Sequence, residues 1–198
     1  MATRPATSRR RLTPGDWTGA ALAAIADGGL AAVAIEPLAA GLGATKGSFY
    51  WHFASREDLV TAALARWEQE TTTEIASRAR TAAGDPAGQL RTLITETARL
   101  ASADRVGLAL LAGAARPEVR QVLDRVTRRR LDILGAFFAG LGFAPPAARH
   151  RALLAYSVYL GHAQLSHTTP QLLPQPDAER QAYLEAAIAL LGSAPGNG

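Results

Sequence analysis

From Thr13 onward, apolar residues recur three and four positions apart, and no stretch sustains a period of two. That spacing sets one side of each segment against a core, the pattern of amphipathic helices rather than of strands. Breakers divide the chain at Gly28-Gly29, Gly41-Leu42-Gly43, Gly84-Asp85-Pro86 and Arg116-Pro117, and across 140–146 and 170–176. Glycine and proline interrupt helical geometry at such points, so an all-α chain of about nine helices is expected. Two helix starts are legible. Thr13 precedes Pro14 and has Asp16 three residues on, and Ser55 stands three residues before Asp58. A hydroxyl that accepts from the third backbone N–H, with an acid reaching back, closes a helix N-terminus. Behind these caps Trp17, Ala21, Leu22 and Ile25 share one face, and Leu59, Ala63, Leu64 and Trp67 share another. The last segment, 177–192, carries two apolar stripes, Tyr183-Ala187-Leu190 and Leu184-Ile188-Leu191. A helix apolar on two sides is covered on two sides, as a central helix of one chain or at an interface between two.

Composition narrows the classes. Only 6% of the residues are aromatic and alanine dominates, which suits closely packed helices better than a β-sandwich. With 48% hydrophobic and 19% charged residues over 198 positions, the chain can bury a sizeable core, in one domain or two small ones. Apolar runs stay well short of the ~18 residues of a membrane span. Arg4, Arg9, Arg10 and Arg11 are followed by Thr13-Pro14-Gly15-Asp16 where a secretory leader needs an apolar stretch. The absence of cysteine removes disulfides, thiol catalysis and thiolate metal sites together. A soluble cytoplasmic protein is expected, with no membrane association. A net charge of +4 and a pI near 10.1 permit a nucleic-acid partner without requiring one.

Candidate chemistry concentrates in Leu38-Ala39-Ala40-Gly41-Leu42-Gly43-Ala44-Thr45-Lys46-Gly47-Ser48-Phe49-Tyr50-Trp51-His52-Phe53. This reads as a short helix, a tight glycine turn and a second short helix, a helix-turn-helix. The second helix has little to bury beyond Phe49. Its other positions offer hydroxyls, one cation, a phenol and an imidazole, groups that suit phosphate oxygens and base edges.

The run from Gly43 to Phe53, followed by Ser55-Arg56-Glu57-Asp58-Leu59, closely resembles the N-terminal signature of TetR/AcrR-family transcriptional regulators. The resemblance extends over about residues 11–71 and is only architectural beyond. It implies an N-terminal helix-turn-helix domain with its connecting fourth helix at 11–71 and an effector-binding and dimerisation domain at 72–193; the chain ends read as a flexible basic tail at 1–10 and a frayed tail at 194–198. It implies that a dimer reads a near-palindromic operator in double-stranded DNA with its third helices. By motif position Thr45 and Lys46 would open that helix against phosphates, and Gly47 would let the backbone approach closely. Ser48, Tyr50, Trp51 and His52 would reach backbone or bases, while Phe49 and Phe53 pack inside. Tyr50, Trp51 and His52 have an alternative reading as an aromatic cap on the small domain. Arg56 is a further phosphate candidate, or a solvated arginine.

Three positions depart from the family pattern. Ala34 stands where a hydroxyl usually caps the second helix, a loss of about 1 kcal/mol. Glu36-Pro37 replaces residues that are often basic, and Gly41 in place of a helix former costs roughly another 1 kcal/mol. Arg9-Arg10-Arg11 could compensate as a flexible arm on DNA, or remain a solvated tail.

Beyond residue 72 the sequence speaks for architecture. Arg125, Arg128, Arg129 and Arg130 read as a solvated face of a long helix. Around 147–167 small residues alternate with Leu153, Tyr156 and Leu160, permitting close helix approach. The resemblance implies a dimer built from the last two helices, for which Leu153, Leu160, Tyr183, Ala187 and Leu190 are the candidates. A pocket for a small, largely apolar effector would draw on Leu64, Trp67, Leu100, Leu108, Leu111, Phe137 and Tyr156, with Gln164 or His167 as polar anchors. No charged residue stands out as a counter-ion. An enzyme is not expected, and neither a cofactor nor a metal. The pair His162 and His167 lies about 140° apart around a helix, and no nucleophile–base pair or phosphate loop is visible. The rival reading is a TetR-like ligand- or partner-binding protein without operator binding.

Overall fold

The structure, a computed structural model, describes residues 11–82, 84–175 and 177–193. Arg9 and Arg10 of the expected arm, and the 194–198 tail, lie outside the described residues. All regular structure among the described residues is helical. Chain packing separates two units between Ala65 and Arg66, a division that falls within the same long helix as the sequence-based boundary after residue 71.

In the N-terminal unit, α1 (Pro14–Gly28) starts with the expected capping box. Thr13 accepts from the backbone N–H of Asp16, and the Asp16 carboxylate accepts from the Thr13 N–H at 2.7 Å. Trp17, Ala21 and Ile25 are fully buried along its inner face. Gly29, at φ 69°, turns the chain out of the helix in a conformation that side-chain-bearing residues avoid. A 3₁₀ turn (Leu30–Ala32) leads to α2 (Ile35–Gly41), whose N-cap Ala34 supplies no side-chain bond, as its missing hydroxyl implies. A turn through Gly43, at φ 62°, leads to α3 (Lys46–Tyr50).

Helix α4 runs continuously over 56–82, with a π turn at Gln69–Thr73 between its α-helical parts Arg56–Glu68 and Glu74–Ala82. Ser55 accepts from the Asp58 N–H at 3.0 Å and opens it as expected. In the C-terminal unit follow α5 (Pro86–Ala101), α6 (Arg105–Ala112), α7 (Pro117–Gly140), α8 (Pro145–Thr168), a 3₁₀ turn (Pro170–Leu172) and α9 (Asp177–Gly192). Counting α4 as one helix gives nine α-helices among the described residues. The short 141–144 connection, with Gly142 at φ 90°, makes α7 and α8 antiparallel neighbours. Ile75, Leu90, Phe137, Phe138, Ala152 and Leu191 join these helices in one apolar core.

Candidate nucleic-acid interface and effector cavity

Helix α3 has only five residues, too few to be stable alone. Two features hold it. Thr45, in an extended conformation, accepts from the Ser48 N–H at 3.2 Å and caps the first turn. Phe49, fully buried, stands edge-on to Trp17 with centroids 5.4 Å apart and stacks on Phe53 at 5.8 Å. With that one ring anchored inward, the remaining positions face out. Thr45, Lys46 and Gly47 are exposed, Tyr50 is exposed at the edge of Phe49, and Ser48 and His52 are half-buried. Trp51 is 87% exposed and makes no ring contact among the described residues, so the aromatic-cap reading does not describe it. Gly47 has ordinary space where a Cβ would stand; sterics within the unit do not require a glycine there.

Two charged candidates are engaged within the unit. The Lys46 ammonium donates to Glu36 at 3.0 Å, joining the starts of α3 and α2. The bond to Glu36, its charge and that of Tyr50 push the lysine pKa up. Arg56, a candidate for a phosphate contact or a solvated arginine, is engaged within the unit. Its Nε donates to the Val33 carbonyl at 2.6 Å and its Nη2 to the Leu30 carbonyl. The Leu30 carbonyl also accepts from the Val33 N–H at 3.4 Å, so the guanidinium adds a second donor there and supplies one to the Val33 carbonyl. The guanidinium therefore locks the 3₁₀ turn to the start of α4.

The model of the family described as "Bacterial regulatory proteins, tetR family" matches residues 18–63, from within α1, through α2 and α3, to the first part of α4. Over that segment the chain carries the N-terminal domain of the TetR family. Solved structures share the fold over nearly the whole chain. A transcriptional regulator from Rhodococcus sp. Rha1 is 22% identical with a TM-score of 0.69, covering 93% of this chain and 100% of its own. A TetR-family regulator from Agrobacterium tumefaciens is 20% identical with a TM-score of 0.69, over 89% and 96%. SmeT, the repressor of a Stenotrophomonas maltophilia multidrug efflux pump, is 19% identical with a TM-score of 0.67, over 96% and 97%. No curated protein matches. TetR-family regulators are in general DNA-binding proteins rather than enzymes. Among the described residues no helix is long and apolar enough to cross a membrane.

The C-terminal unit holds an open-mouthed cavity of about 80 Å³. Leu100 and Tyr156 line it among the expected effector residues, and so do Tyr183 and Ala187, which the sequence assigns to a dimer interface. A smaller neighbouring cavity is lined by Trp67, Leu108, Leu111 and Leu160, with Tyr156 shared. Leu64 is buried in the N-terminal unit, and Phe137 is packed into the core beneath Arg80; neither lines these cavities. Gln164 is exposed, and His167 meets the Ala101 carbonyl at 3.2 Å.

The residue that sequence reasoning missed is Arg130. Arg128 and Arg129 are exposed and Arg125 pairs with Glu68 at 3.0 Å, but Arg130 turns inward and lines both cavities. Its guanidinium lies over the rings of Trp67 and Tyr159, 5.3 and 5.5 Å from their centroids. Its Nε donates to Thr72 at 3.0 Å and its Nη2 to Thr71 at 3.2 Å. Both threonines belong to the π turn of α4, and such turns, with their extra residue, are frequent at functional sites. Trp67 is held in turn. Its indole N–H donates to Asp104 at 2.8 Å, and the same carboxylate oxygen caps α6 through the Gly107 N–H at 2.8 Å. Burial pushes the Tyr159 hydroxyl up to about 12, with Arg130 opposing, so it stays a neutral phenol. Burial, aided by Arg180, pushes the half-buried His162 down; it lines the larger cavity, and its Nδ1 is without a partner.

Proposed function

We propose that this protein is a cytoplasmic, homodimeric, one-component repressor that reads a palindromic operator with two α3 helices and is released by a small, largely apolar effector. The observation that carries the reading is the sidedness of α3. One fully buried ring, Phe49, anchors it, while Lys46, Tyr50 and Trp51 stand exposed beside the capping Thr45. Lys46 and Thr45 are suited to phosphates, and Tyr50, Trp51 and His52 to the major groove. Dimerisation is supported by apolar side chains left uncovered in the single chain. Leu153, Leu154, Val158 and Leu165 of α8 and Leu190 of α9 are 41–76% exposed, and a two-fold axis would bury the same patch from both subunits. The apolar lining of the cavity supports its reading as an effector site. Effector control requires that the effector bind more tightly to the conformer that does not fit the operator.

Selection of sheared genomic DNA by the purified protein, with Tyr50→Ala in parallel, tests this. A palindromic site enriched by wild type and lost from the variant is expected. Equal retention by Tyr50→Ala would refute α3 as the reading helix. Retention of nothing by a folded dimer would favour a ligand- or partner-binding protein without an operator.

A further inference from the structure

Resting on the reading of the larger cavity as the effector site, the geometry points to an amphipathic anion as its ligand, an apolar body ending in a carboxylate that Arg130 receives. The argument starts from α7, whose inward stripe runs Val119, Val126, Arg130, Ile133 and Phe137. A guanidinium in that stripe loses hydration that an apolar wall does not restore. The protein compensates only in part. Trp67 and Tyr159 lie against its faces, and the Thr71 and Thr72 hydroxyls accept from Nη2 and Nε. These partners are neutral. Among the described residues no carboxylate forms an ion pair with Arg130, and no aspartate or glutamate lines the larger cavity. Asp104 lines only the smaller cavity, which Arg130 lines as well; its Oδ1 serves Trp67 and Gly107, and its buried Oδ2 has no hydrogen-bond partner and forms no ion pair with Arg130. The guanidinium is thus fixed in direction by π-stacking and hydroxyl bonds, with no carboxylate in ion-pair contact and none on the wall of the larger cavity. That is a preorganised seat for a planar anion, which arginine can meet with two parallel N–H donors. The remaining wall, with Ile75, Leu93, Ile94, Leu134 and Leu191, suits an alkyl or ring body.

Isothermal titration of the full chain with decanoate, decanol and decyltrimethylammonium, which share one apolar tail and differ in head charge, tests the assignment. Decanoate is expected to bind about ten-fold or more tighter than decanol, with the cation weakest. Arg130→Gln should bind decanoate and decanol alike, and Arg130→Lys should restore part of the difference. Circular dichroism checks that each variant folds, and the wild-type series decides the matter without them. Equal or tighter binding of the alcohol or the cation, no binding of any of the three, or an unchanged anion preference in folded Arg130→Gln would each overturn the proposal. DNA is absent from this titration, so its result stands apart from whether α3 reads an operator.

Discussion

Arg56 illustrates how a single side chain changes meaning once its neighbours are known. Its place at the start of α4, beside a DNA-reading motif, suggests a phosphate contact, yet its guanidinium is spent on the carbonyls of Leu30 and Val33. Hydrogen bonds from a charged donor are worth more than neutral ones, and losing them leaves the Val33 carbonyl without that donor. Arg56→Ala is therefore expected to destabilise the N-terminal unit by about 1–3 kcal/mol, read by denaturant unfolding. It should leave the dependence of DNA binding on salt unaltered, because that slope counts neutralised phosphates. A slope lowered by about one unit with stability intact would restore the phosphate role. Nothing in the local sequence could have shown this, since the acceptors lie 23 and 26 residues away.

At the scale of elements, the clasp between Glu36 of α2 and Lys46 of α3 joins a departure from the family pattern to a proposed DNA contact. The Glu36 carboxylate holds the ammonium that would meet a phosphate. Both side chains are more than half exposed, so the pair adds little to stability. Its effect falls on binding. Glu36→Gln should strengthen duplex binding across sequences and raise the magnitude of the salt slope by about one unit, measured by anisotropy titration at several salt concentrations. Unchanged affinity and slope would place Glu36 away from the DNA path. The sequence shows both residues and their types, but their pairing depends on how the turn at Gly43 folds α3 back toward α2.

For the molecule as a whole, the helical plan was legible because it rests on local signals. Spacing, caps at Thr13 and Ser55, and breakers each act within one or two turns. The reading failed where meaning depends on which long helix meets which. The 125–130 arginines look like one solvated group, whereas Arg130 continues the Val119–Val126 stripe and turns into the cavity. The double-sided last helix is buried at Ile188 and Leu191, whereas on its other stripe Tyr183 and Ala187 line the cavity and Leu190 is left 76% exposed. The proposed subunit contact therefore draws on Leu190 with Leu153, Leu154 and Val158. Leu153→Glu, which puts a charge on that patch, should shift the protein from dimer to monomer in sedimentation equilibrium without loss of helical signal. A variant that remains dimeric at micromolar concentration would place the contact elsewhere.

The three tryptophans have a further consequence, for optics. Trp17 is fully buried in the N-terminal core, Trp51 is 87% exposed beside α3, and Trp67 is 3% exposed with Arg130 over its ring and Asp104 at its N–H. Each indole therefore samples one region of interest and emits from a distinct environment. Iodide should quench Trp51 first, so protection from iodide reports occupation of the α3 surface. A change in the iodide-insensitive emission, absent from Trp67→Phe, reports events at Arg130. Without any attached dye, the chain gives separate fluorescence signals for its proposed DNA face and its cavity, and a ligand that moves one can be asked directly whether it moves the other.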